Sequence, residues 1–166
     1  MKFREHEAKQ IFREAGIPVP NSELISRAGE AAAAQARVAD RVVLKAQVDV
    51  GGRGKAGGIL PATGENIAEV AKELFGKTIK GLPVEQVLVE EALDIRHEYY
   101  LSITIDRTAK MPVILFSEEG GMEIETLAKE KPEALHRAFI DPCFTNVPDF
   151  IMRNILGSAP KSIDQV

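Results

Sequence analysis

Between Val42 and Val48 apolar and polar residues alternate. Val42, Leu44, Ala46 and Val48 fall on one side and Val43, Lys45 and Gln47 on the other, the period of two that a strand with two different faces imposes. A glycine-rich stretch from Gly51 to Gly58 follows and runs into a second short apolar run at Ile59. Upstream, residues 4–15 predict a helix with Ala8, Ile11, Phe12 and Ala15 on one face and Glu5 four residues before Lys9. Gly16 stops it, and Ile17 to Pro20 leaves as extended chain. Ser26 is expected to cap an alanine-rich helix that ends near Val38. Thr63 is expected to open another helix, with Ile67, Val70, Ala71, Leu74 and Phe75 at helical spacing and Gly76 at its end.

The second half is richer in strands. Residues 85–91 predict a strand that ends in two carboxylates, Glu90 and Glu91, and residues 92–97 make a short link. Leu101, Ile103 and Ile105 alternate with Tyr100, Ser102 and Thr104 in a half-buried strand. A turn at 107–110 returns it to an antiparallel neighbour at 111–117. Glu118 to Gly121 is an acidic glycine turn leading to a helix near 123–131. Phe139, Ile140, Phe150, Ile151, Met152 and Ile155 supply further core. The end segment from Phe150 to Leu156 is also expected to leave an apolar patch that promotes association. No repeat or low-complexity tract interrupts this order.

Composition narrows the class. A chain of 166 residues, 45% hydrophobic, suits one domain or two small lobes with a real core. A net charge of −4 and a pI near 5.5 argue against a nucleic-acid footprint and make a local cationic loop more telling. The single cysteine, Cys143, excludes an intrachain disulfide and suits a reducing, cytoplasmic compartment. No apolar run is long enough to span a bilayer, and no signal-peptide pattern follows Met1. His6, on the first helix, reads as a surface or boundary residue rather than a ligand.

The glycine stretch carries the chemistry. Gly51, Gly52, Gly54, Gly57 and Gly58 surround Arg53 and Lys55 with no acid among them. Glycine allows close backbone approach and converging amides, and the two cations add charge, which is the composition of a polyphosphate-binding loop. Gly52, Gly54 and Gly57 satisfy G-x-G-x-x-G, but Pro61 and Gly64 interrupt where a dinucleotide fold needs a helix. The Walker pattern fails as well, with Asp49 at its first glycine and Ala56 in place of Ser or Thr. A glycine loop between two strands is closer to the flap over ATP phosphates in protein kinases; a tight structural hairpin is the other reading. Lys45 stands mid-strand, where a charge is costly without a partner or water. Glu90 and Glu98 are either solvated strand-end carboxylates or acceptors for a ribose hydroxyl or an adenine amino group.

Four segments then point to a family. REHEAKQIFREAGIPVP, VVLKAQVDVGGRGKAGGI, QVLVEEALDIRHEYYLSITIDR and SEEGGMEIE closely resemble, in order from residue 1 to about Asp141, the N-terminal half of succinyl-CoA synthetase (succinate–CoA ligase) β subunits. The resemblance implies an α+β, two-lobed ATP-grasp fold. Residues 21–93 would form an inserted small lobe, and residues 1–20 with 94–166 part of the larger lobe. It implies ATP or ADP contacts from Lys45, Gly52, Arg53 and Gly54, from Glu90 and the backbone of Leu93 at the hinge, and from Glu98 at the ribose. Pro20 resembles the residue of ADP-forming members, a hint for adenine over guanine. The implied reaction converts ATP, succinate and coenzyme A to ADP, phosphate and succinyl-CoA through a phosphohistidine on a separate α subunit. His6, His97 and His136 do not match that histidine. The family's Mg2+ ligands and C-terminal ligase domain would lie after Val166, so the chain is expected to be a fragment, with no catalytic or metal residue of its own and inactive alone. A non-catalytic nucleotide-binding or assembly module, or another ATP-grasp carboxylate ligase, are the alternatives.

Overall fold

The alternation at Val42–Val48 lies at the centre of a sheet. The computed structural model describes residues 2–121 and 124–156, and their contacts divide into two units between Asp94 and Ile95. In the first unit β2 (Arg41–Ala46) is flanked by β6 (Val87–Glu91) and β3 (Ile59–Thr63), with β1 (Ser22–Ile25) outside β6. Every neighbouring pair is antiparallel. Val42, Leu44, Ala46, Val87 and Val89 share one face and are buried against α2 (Ala31–Val38) and α3 (Ile67–Phe75), which supply Ala31, Ala34, Ile67, Ala71 and Leu74. Full burial of Leu44 alone contributes on the order of 2 kcal/mol. Pro61 sits within β3 opposite Val43, tolerated because β3 is an edge strand whose missing N–H interrupts no ladder.

Several local expectations need correction. Ser26 does not cap α2. The Glu30 carboxylate accepts from the Ser26 and Arg27 amides and closes a 3-10 turn at Ala28–Glu30 ahead of the helix. Thr63 ends β3 instead of opening α3. Its amide donates to the Asn66 side chain at 2.9 Å, and the helix starts at Ile67. The link at 77–83 is a small hairpin, β4 (Thr78–Ile79) and β5 (Leu82–Pro83). Its two turn residues, Lys80 and Gly81, both have positive φ, as a two-residue hairpin requires.

Helix α1 (Glu5–Glu14) groups with this first unit but buries no residue. Its apolar side is turned out, with Ile11 45% and Phe12 47% exposed, and Glu5, His6 and Lys9 hold it by the polar side instead.

The second unit holds β7 (Tyr100–Asp106), β8 (Met111–Ser117) and β9 (His136–Phe139) in that order, antiparallel throughout. Helix α4 (Ile124–Glu130) follows β8, and α5 (Asp149–Leu156) comes last. Glu123, within the expected helix, lies outside the described residues. Ile151 and Ile155 of α5 are buried with Ile114 and Phe116, so the apolar residues of the end segment pack as core except Phe150, which is 55% exposed. The uncovered apolar strip lies on β7 instead, where Leu101, Ile103 and Ile105 are 61–66% exposed. No helix among the described residues is long and apolar enough to cross a membrane.

These burials set contrasting costs. Leu44→Ala should lower unfolding stability by about 2–5 kcal/mol, whereas Phe12→Ala should change it by about 0.5 kcal/mol or less. Urea titrations of both variants measure the difference; equal losses would mean that the apolar side of α1 is packed.

Candidate functional site

Strand alternation sends Lys45 and Glu90 to the sheet face opposite Leu44 and Val89. There Lys45 Nζ donates to Glu90 Oε1 at 2.6 Å and to Glu5 Oε1 at 3.0 Å. Lys9 Nζ lies 3.0 Å from the same Glu5 oxygen and also donates to Glu90 Oε2. Two lysines and two carboxylates thus alternate around a closed ring. Arg53 joins it from outside, donating to Glu5 Oε2 through Nη2 and to the Ala46 carbonyl through Nη1 at 2.9 Å. All five side chains are 5–20% exposed. Three cations against two carboxylates leave a surplus of one positive charge, so the cluster is a place where an incoming anion gains.

The electrostatics follow from that crowding. Burial alone would raise the Glu5 carboxyl, but the Lys45 charge and the bonds from Lys9 and Lys45 outweigh it and hold it at about 2, against 4.5 for a free side chain. Burial opposes the Lys45 ammonium in the same way, and Glu90 with Glu5 overcomes it, leaving Lys45 above its ordinary value. A lysine thought costly mid-strand is therefore paired on both sides.

The glycine loop sits beside this ring. The amides of Ala56, Gly57 and Gly58 close turns on the carbonyls of Gly52, Gly54 and Arg53. Those three donors are used inside the loop, and the cationic side chains carry more of any anion affinity than glycine content suggested. Two lysines pin the loop from the neighbouring hairpin: Lys80 Nζ donates to the Gly51 carbonyl at 2.7 Å and Lys77 Nζ to that of Gly57 at 3.0 Å. Gly52, with φ +70, occupies a conformation that side chains other than glycine rarely adopt.

Gln47 locks α1 onto the strand. Its Nε2 donates to the Lys45 carbonyl, which leaves Oε1 as acceptor for the His6 amide at 3.2 Å and for His6 Nδ1 at 3.1 Å. The His6 proton is thereby assigned to Nδ1. Arg4 adds a bond to Gln86 at 2.9 Å and a pair with Asp49 at 3.1 Å.

The structure brings together Lys45, Arg53 and Glu90, with Gly52 and Gly54 in the adjoining loop. Leu93 is 54% exposed near the end of the first unit. Glu98 belongs to the second unit, where it lines a cleft of about 550 Å³ with His97, Glu118 and Glu119. The Gly120 amide donates to the Glu98 carbonyl at 3.0 Å, and a Cβ on Gly120 would come within 2.6 Å of that oxygen. The acidic glycine turn thus admits Glu98 at a distance that a side chain on Gly120 would block. His97 Nε2 donates to the Glu118 carbonyl at 2.8 Å, and Glu118 Oε1 is buried without a partner. No group of three or more His, Cys, Asp and Glu among the described residues is placed to hold a metal. Sequence reasoning found the Glu5–Lys9 helix pair, which forms at 3.0 Å, but missed its contacts with Lys45 and Glu90; the signal that could have found them was the mid-strand Lys45, which required an acidic neighbour.

Two sheets with a cation-lined glycine loop between strands are what an ATP-grasp domain presents, and the ATP-grasp domain model matches residues 2–162. The chain belongs to the ATP-grasp family. Within it, the chain is 47% identical to succinate–CoA ligase (ADP-forming) subunit beta of Bacteroides thetaiotaomicron, over 99% of this chain and 44% of that protein. It is 54% identical to the protein of the same name from Methanocaldococcus jannaschii, over 85% of this chain and 38% of that one. The chain therefore spans less than half the length of these relatives. In fold it is similar to Candidatus Korarchaeum cryptofilum ACD1, solved in complex with coenzyme A, with a TM-score of 0.73 at 20% identity over 94% of this chain and 65% of that one.

The depressed Glu5 carboxyl makes a pH prediction. Its contribution, roughly 3 kcal/mol, is fully present above pH 4.5 and is lost as pH falls toward about 2. Urea unfolding from pH 6 to pH 2.5 should show wild type losing more stability than Glu5→Gln across that window. Parallel profiles would mean that Glu5 is not held by the cations.

Proposed function

We propose that this chain is the nucleotide-binding part of the β subunit of an ADP-forming succinate–CoA ligase. The observation that carries the reading is the surplus positive charge of Lys45 and Arg53 beside the glycine loop, in a chain whose relatives bear that name. Lys45, Arg53, Gly52 and Gly54 hold the phosphates of ATP or ADP. Glu98 accepts from the ribose, and the backbone at Leu93 meets the adenine. Both oxygens of Glu90 are engaged by lysines, so its main part is to keep Lys45 charged and in place, with its remaining acceptor capacity open to the nucleotide. Residues 21–93 serve as the inserted small lobe, and residues 1–20 with 94–166 as part of the larger one.

In the whole enzyme ATP, succinate and coenzyme A are converted to ADP, phosphate and succinyl-CoA through a phosphohistidine on an α subunit. Mg2+ is held by residues outside this chain. The same reading places the enzyme in the cytoplasm and the tricarboxylic acid cycle. Positioning and charge stabilisation dominate phosphoryl transfer, and these residues supply the cationic side of it.

Titration of the isotope-labelled chain with ATP, followed by NMR, tests this. ATP should shift the amide signals of residues 45–55, and Arg53→Ala should weaken its binding about tenfold, the loss of one charge-assisted contact. The exposed control Arg27→Ala should leave binding unchanged. ATP binding that ignores Arg53, or no shift in residues 45–55, would overturn the reading.

A further inference from the structure

We propose that Glu5 is a positioning residue of the nucleotide site, the fixed counter-charge that sets Lys45 and Arg53 at one spacing for the phosphates. The inference rests on the reading of Lys45 and Arg53 just given and adds helix α1 to the site. Lys45 lies on a strand and Arg53 on a loop, and one carboxylate bridges them, Oε1 toward Lys45 and Oε2 toward Arg53. Without that bridge the two cations repel each other across a partly buried gap, and the loop arginine keeps only its bond to the Ala46 carbonyl.

A second account would make Glu5 a competitor that occupies the phosphate position and leaves when the nucleotide arrives. The attachments of α1 oppose it. The helix is tied on both sides of Glu5 by contacts that do not involve Lys45 or Arg53. Arg4 reaches Gln86 and Asp49, His6 reaches Gln47 with its amide and its ring, and Lys9 reaches Glu90. A carboxylate carried on such a support is built into the site. Its charge also leaves the cluster one positive charge in surplus, so an anion is still attracted while the cations stay separated.

A double-mutant cycle read by ATP titration of the 166-residue chain tests the proposal. Glu5→Gln should weaken ATP binding about tenfold in the presence of Arg53 and by a smaller factor, about threefold, in the Arg53→Ala background, where only its hold on Lys45 remains to be lost. Glu5→Asp, which keeps the charge and shortens its reach, should fall between wild type and Glu5→Gln. It also replaces Glu5→Gln in the cycle if the latter fails to fold. An equal loss in both backgrounds would show that Glu5 only supports the fold, and tighter binding in Glu5→Gln would show that it competes; either overturns the proposal. Failure of wild type itself to bind ATP through residues 45–55 would overturn the underlying assignment as well, which separates the two claims.

Discussion

One carboxylate shared among three cations organises the first unit. Glu5 faces Lys45, Lys9 and Arg53 at once, and Glu90 closes the ring from the neighbouring strand. Each charge in the ring would be costly where it stands if its partners were removed, since a partly buried ion without a counter-charge loses several kcal/mol of hydration. Together they let a sheet keep one face apolar and make the other a charged platform. The strand's period of two separates the roles: Leu44 and Val89 go to the core, Lys45 and Glu90 to the platform.

The cluster leaves one positive charge over. An alternating square of two lysines and two carboxylates is neutral, and Arg53 adds the unbalanced charge on the side of the glycine loop. Lys77 and Lys80 hold that loop by its carbonyls from a separate hairpin. The phosphate site proposed above is held by the protein's own contacts, which lowers the ordering cost of binding. In the second unit, taken by itself, the Glu98 carboxylate lies close to Gly120 and Gly121 in a turn that admits no side chain.

Much of this was readable from residue order. The period of two placed β2, β7 and β8 closely, and the spacing of Ile67, Ala71 and Leu74 found α3. The glycines around Arg53 and Lys55 marked the loop. What escaped was set by tertiary contacts. Apolar residues on α1 suggested that its Ile11–Phe12 side would pack, yet its polar side is the attached one, because Lys45, Gln47 and Glu90 offer better partners than solvent. The short strand Ser22–Ile25 has no clear alternation and forms because β6 presents an open edge. Lys80–Gly81 hid a hairpin because lysine is an unusual residue at positive φ. Glu90 looked like a solvated strand end and is 4% exposed, since sequence shows a carboxylate but not the lysines that surround it.

The central claim is that the cations bound by Glu5 and Glu90 are a phosphate site. A crystal structure of the chain grown with ADP tests it most directly. The account predicts phosphate oxygens at about 3 Å from Lys45 Nζ and the Arg53 guanidinium, with the Glu5 bridge intact beneath them. An ordered nucleotide bound elsewhere, with Lys45 and Arg53 still contacting only protein, would contradict it.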